Sequence, residues 1–123
     1  MDKKWYLAKL LEEFHAANDD TELLRINWIL VNAGDAEEAY TKALVFGAEL
    51  NHEYLNTEGF LVTVTFRGLS NLTEIYEEFA DGSEIAYSRY EDISREDIER
   101  MVKPKERLAV FRPRETLDSE QSQ

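Results

Sequence analysis

From Phe60 to Arg67 the residue type alternates without a break. Phe60, Val62, Val64 and Phe66 fall on one side, and Leu61, Thr63, Thr65 and Arg67 on the other. A repeat of two residues marks a β-strand with one face buried. A strand of this kind needs neighbours to pair with and something to cover its apolar face, which directs the search along the rest of the chain. Gly68 directly after it predicts a bulge or bend.

Two further strands precede it. Trp5 to Phe14 divides into Trp5, Leu7, Lys9, Leu11, Glu13 and Tyr6, Ala8, Leu10, Glu12, Phe14. Its Leu, Ala, Lys and Glu content also suits a helix. The strand reading is preferred because the turn residues Asn18-Asp19-Asp20 follow, and then a clearer strand. That strand, Leu23 to Asn32, sets Leu24, Ile26, Trp28 and Leu30 against Arg25, Asn27, Ile29 and Val31. Gly34-Asp35 ends it and opens a helix, with Asp35 as N-cap and Glu38 three residues on as in a capping box. Ala36, Ala39, Tyr40, Ala43, Phe46, Gly47 and Leu50 recur at helical spacing, so the helix is expected to run to about residue 50. Its small residues allow it to lie close on a sheet.

Beyond the central strand, Asp81-Gly82 predicts a tight hairpin joining 72–79 to 84–90, although 71–79 also reads as a short helix. Ser94 with Asp97 predicts a second helix over 95–102, stopped before Pro104. Leu108 to Phe111 is a candidate edge strand. The expected fold is α+β, with a mostly antiparallel sheet of about five strands in the order β-β-α-β-β-β-α and a long helix packed on one face. The chain's 123 residues suit one domain. Residues 1–112 are read as that domain, and 113–123, polar and without aromatics, as a disordered acidic tail.

The run Trp5-Tyr6-Leu7-Ala8-Lys9-Leu10-Leu11-Glu12, the helix Glu37-Glu38-Ala39-Tyr40-Thr41-Lys42-Ala43, the stretch Phe66-Arg67-Gly68-Leu69, and Asp81-Gly82-Ser83-Glu84-Ile85 with Tyr87-Ser88-Arg89 resemble an uncharacterised small bacterial family, domain of unknown function four-two-eight-eight. The resemblance spans roughly residues 4–92. It implies a single small α+β domain and brings no activity, substrate or catalytic residue with it.

Charge excludes some functions. The formal net charge is −12, which speaks against nucleic acid or an anionic membrane as a partner of the whole chain. Residues 1–94 hold seven basic and nineteen acidic side chains, whereas 95–114 form a basic arm of net +3. With no cysteine there is no disulfide, thiolate metal site or Cys nucleophile. No apolar run approaches the roughly 20 residues of a membrane helix, and no signal peptide is read at the start, so a cytoplasmic protein is expected. No cofactor and no metal site are expected. Asn18, Asp19, Asp20 and Glu22 lack the spacing of a calcium loop. His15 and His52 read as surface histidines, and the adjacent acid pairs as solvated faces.

The most informative constellation is a sheet face. Lys9, Arg25, Arg67 and Arg89 fall within predicted strands, and alternation groups Arg25 with Asn27, Arg67 with Thr63 and Thr65, and Lys9 with Glu13. If these groups share one face, Lys9, Glu13, Arg25, Asn27, Thr63, Thr65, Arg67 and Arg89 line it. Phe60, Val62, Val64, Phe66, Ile26, Trp28 and Leu30 then meet the helix. Such a face could bind an anionic or polar ligand. It could equally be a solvated face laced with ion pairs, or a dimer interface, because Leu7, Leu11, Ile29, Val31 and Leu61 would share it. Trp5, Tyr6, Trp28, Tyr76, Tyr87 and Tyr90 are either core residues or anchors for a protein partner.

The leading expectation is a non-enzymatic protein-interaction module with a protein partner or itself, as a homodimer. One form is an acidic inhibitor or immunity-type protein blocking a basic partner. The alternative is a small-molecule-binding domain or enzyme using the polar cationic sheet face. A third reading is a regulatory domain whose basic arm contacts a partner.

Overall fold

The computed structural model describes residues 3–111 and 113. Its elements are β1 (Lys4–Ala16), β2 (Glu22–Ala33), α1 (Ala36–Ala48), β3 (His52–Leu55), β4 (Leu61–Ile75) and α2 (Arg95–Met101), followed by single 3-10 turns at Lys105–Arg107 and Ala109–Phe111. The four strands form one antiparallel sheet in the order β2-β1-β4-β3. The α+β class and antiparallel sheet expected from the sequence are therefore present, with differences of detail.

β1 and β2 form a long hairpin in unbroken register from Lys4 opposite Ala33 to His15 opposite Glu22. Its turn is an Asx turn: Asp19 Oδ1 accepts from the Thr21 amide at 2.9 Å and from the Thr21 hydroxyl at 2.8 Å. α1 begins as its sequence specifies. Asp35 Oδ1 accepts from the Glu38 amide at 2.8 Å, and Glu38 Oε1 accepts from the Gly34 amide at 2.7 Å. The helix lays Ala39, Ala43 and Gly47 on the sheet. The core is Tyr6, Ala8 and Leu10 of β1, Val31 and Ala33 of β2, and Ala39 and Ala43 of α1, flanked by Ile29, Leu50, Phe66, Leu69 and Leu72.

The sheet has four strands rather than five, and α1 has thirteen residues, so it is not a long helix. Residues 72–75 continue β4, which carries two irregularities against β1 and passes through Gly68 at φ 130°. The register skips Ser70 and Arg67, each an extra residue on the bulged strand. Residues 84–90 are not a strand. Asp81-Gly82 does make the expected turn, with Gly82 at φ 86° and the Ser83 amide donating to Ala80 O at 3.0 Å. The backbone bonds beside the turn go to side chains instead of a ladder: the Ala80 amide donates to Ser83 Oγ and the Glu84 amide to Glu77 Oε2. Leu108 to Phe111 is 3-10 turn rather than strand. The strand absent from the sequence reading is β3, joined to β4 through a turn in which Asn56 and Phe60 bond through their backbones and Gly59 has φ 85°.

The chain divides into two compact units, Met1–Tyr87 and Ser88–Gln123. The first holds the sheet and α1. In the second, α2 starts at Ser94, whose Oγ accepts from the Asp97 amide at 3.1 Å, and none of its residues is buried. Of the residues read as an acidic tail, all but Pro113 lie outside the described residues.

Candidate functional site

The strand registers assign every sheet residue to a face. On the side covered by α1 lie Tyr6, Ala8, Leu10, Glu12 and Phe14, opposite Val31, Ile29, Asn27, Arg25 and Leu23. On the other, open side lie Leu7, Lys9, Leu11 and Glu13, opposite Leu30, Trp28, Ile26 and Leu24. The expected polar face is thereby split. Lys9, Glu13, Thr63, Thr65 and Arg67 belong to the open side, where Arg67 Nη1 meets Glu13 Oε1 at 3.3 Å and Glu13 pairs with Thr65. Arg25 and Asn27 belong to the helix side, and Ile26, Trp28 and Leu30 to the open side, the reverse of the sequence assignment. Arg89 lies outside the sheet and pairs with Glu91 at 3.0 Å.

Two surfaces follow. The first is the open side of β2, an edge strand whose outer edge has no strand partner among the described residues. Leu24, Ile26, Trp28 and Leu30 stand there side by side at 55, 47, 57 and 49% exposure. Lys9 Nζ sits 4.5 Å from the centre of the Trp28 ring, a cation held over an aromatic face. Part of the open side is covered: Leu7 and Ile75 are buried, and Phe79 lies against Trp5 with ring centres 5.8 Å apart.

The second is a cleft of about 780 Å³ on the helix side, bounded by β2 from Arg25 to Leu30, by Phe46 in the last turn of α1 and by Leu50 just beyond it. Its walls are Leu10, Ile29, Phe46 and Leu50, and its polar groups are Glu12, Arg25 and Asn27. Glu12, 5% exposed, is the one buried charged residue among those described. One of its oxygens accepts from the Asn27 amide nitrogen at 2.8 Å. Arg25 is directly across the ladder from Glu12, yet no ion pair joins Arg25 to any described residue. Sequence reasoning named Arg25 and Asn27 but missed Glu12. Its even position beside Leu10 was the available signal.

Neither histidine lines the cleft. His15 is exposed and 3.6 Å from Glu22, and His52 Nδ1 lies 2.7 Å from the Leu50 carbonyl. Among the described residues, no helix is long and apolar enough to cross a membrane.

A small antiparallel sheet carrying one helix, with a cleft beside an edge strand, defines an α+β domain. The family model described as Domain of unknown function (DUF4288) matches residues 5–88, and the chain belongs to that family. No curated protein and no solved structure matches it.

Proposed function

We propose that this protein is a non-enzymatic interaction module that pairs with a second copy of itself through β2. The observation that carries the reading is the sequence of the bare edge. Between Leu23 and Ala33 the only charged residue is Arg25, and there is no proline. Soluble proteins usually blunt such edges with charge, proline or a bulge. The open-side residues are also self-complementary. Antiparallel pairing centred on Asn27 sets Leu24 against Leu30 and Ile26 against Trp28 of the second copy. It sets Arg25 against Ile29 and Glu22 against Asn32, so no two like charges meet. A two-fold axis normal to the sheet keeps both helices on one side and joins the two apolar stripes into one.

Trp28→Lys and Ile26→Lys test this reading, since both positions are about half exposed and the fold tolerates polar groups there. Sedimentation should show a dimer for the parent chain and a monomer for either variant. The chain lacks cysteine, so single substitutions report geometry. Asn27→Cys should oxidise to a covalent dimer, because residues directly opposite on antiparallel strands lie within disulfide range. Leu24→Cys should not, being about 20 Å from its own copy. A parent chain that sediments as a monomer at high concentration refutes the proposal.

The net charge of −12 supports a second reading, an inhibitor or immunity-type protein docking on a basic partner. Such a complex weakens as salt rises.

A further inference from the structure

We propose that the cleft between β2 and α1 binds a small zwitterion with an apolar side chain, an apolar α-amino acid being the simplest. The argument starts from Glu12. Burying a carboxylate is costly unless it is paired or well hydrogen-bonded. Glu12 is only 5% exposed, and its side chain accepts from one neutral amide donor, Asn27 Nδ2, at 2.8 Å. It lines the cleft, so its remaining acceptor capacity is directed at whatever occupies that space.

Arg25 lines the same cleft from the adjacent strand. Residues directly opposite on antiparallel strands have Cβ atoms about 4.5–5.5 Å apart. Glu12 and Arg25 are such a pair and yet make no ion pair, so both charges are available to a third group. A ligand whose ammonium and carboxylate sit on one carbon matches that spacing: the ammonium donates to Glu12, and the carboxylate accepts two bonds from the Arg25 guanidinium. A simple anion would meet the Glu12 charge, and a simple cation would meet Arg25. Leu10, Ile29, Phe46 and Leu50 supply the apolar wall for the side chain. A volume of about 780 Å³ lies within the range of small-molecule sites and holds the largest apolar amino acids.

The experiment uses the full chain and four probes: leucine, phenylalanine, N-acetyl-leucine and leucinamide. Titration followed by amide NMR should move the Asn27 side-chain amide and the Ile29 backbone amide with leucine and phenylalanine. N-acetyl-leucine, lacking the ammonium, and leucinamide, lacking the carboxylate, should bind at least about tenfold more weakly. Arg25→Gln, at an exposed position, should bring leucine down to the affinity of leucinamide while leaving the circular dichroism spectrum unchanged. Glu12→Gln should bring leucine down to that of N-acetyl-leucine. The proposal is overturned if no probe moves these signals at millimolar concentration, if N-acetyl-leucine or leucinamide binds as well as leucine, or if Arg25→Gln leaves leucine binding unchanged. Self-association of the chain is read separately by sedimentation, so failure of this proposal and failure of pairing through β2 are told apart.

Discussion

Gly47→Ala is the substitution that examines most closely how α1 meets the sheet. Alanine is favoured over glycine within a helix by about 1 kcal/mol, so on local grounds the change stabilises. Packing opposes it. A Cβ built at residue 47 overlaps Cζ, Cε1 and Cε2 of Phe66, closer than real Cβ atoms approach. Phe66 stands on β4 against the core and must swing off its rotamer or push the helix outward. Overpacking of this kind costs about 1–3 kcal/mol. With the helix gain subtracted, the expected net loss is about 1 kcal/mol. That lowers the thermal midpoint by about 4–8 °C for a unit of this size. The partner is identified by repeating the change in Phe66→Leu, which removes those three ring atoms. There Gly47→Ala should be neutral or stabilising, a coupling of about 1–2 kcal/mol between the two sites. Equal costs in both backgrounds, measured by thermal or urea denaturation, refute the contact as the reason for glycine at 47.

Two other substitutions probe local hydrogen bonds. Asp35→Ala removes the acceptor for the Glu38 amide and should cost about 1 kcal/mol, read as a lower midpoint by circular dichroism, with Asp35→Asn close to the parent. In the β1–β2 turn, the Thr21 amide, and secondly its hydroxyl, hold the Asp19 carboxyl below its ordinary pKa. A depressed carboxyl favours the folded turn above the unfolded pKa, and that preference fades as pH falls through the folded value. The Thr21 amide resonance should therefore titrate with a midpoint below the ordinary aspartate range, and Thr21→Val should raise it; a midpoint at the ordinary value contradicts the assigned bonds.

The readable parts of this fold are those where one local signal acts alone. Asp35 and Glu38 define the start of α1, Ser94 and Asp97 that of α2, and alternation puts Val62, Val64 and Phe66 on the helix side of the sheet, with Val62 and Val64 buried and Phe66 against the core, while Phe60 falls before β4 and is half exposed. β2 is different. Leu23, Leu24, Ile26, Trp28, Ile29, Leu30 and Val31 are apolar on both faces, so alternation alone does not say which set meets the helix. Its register with β1 does, by aligning Val31 with Tyr6 and Ile29 with Ala8. In β4 the bulges at Ser70 and Arg67 put Phe66, Leu69 and Leu72 on the same side, a spacing of three that imitates a helix. β3 has four residues, too few for a period, and Asn56 and Gly59, which form its turn, were a signal the sequence reading passed over. The same swap of faces hid the cleft: Arg25 and Asn27 were recognised, but Glu12 becomes their neighbour only through the hairpin register.

Charge and edge act at different ranges in this protein, and salt separates them. The net charge of −12 repels a second copy at long range, while the proposed pairing through β2 would depend on backbone bonds and apolar contact that begin only at touching distance. At physiological ionic strength the repulsion is already screened beyond about 8 Å. Further salt therefore removes what opposes association and leaves what drives it. The dimer fraction should rise from low to moderate sodium chloride, and Arg25→Glu, which adds negative charge at the edge, should steepen that dependence. Docking on a basic partner has the opposite sign, since the same charge then steers the two molecules together and screening weakens the complex. Sedimentation across a salt series thus decides between the two readings by the sign of one slope, and a dimer that dissociates as salt rises rules out a contact made mainly by Leu24, Ile26, Trp28 and Leu30.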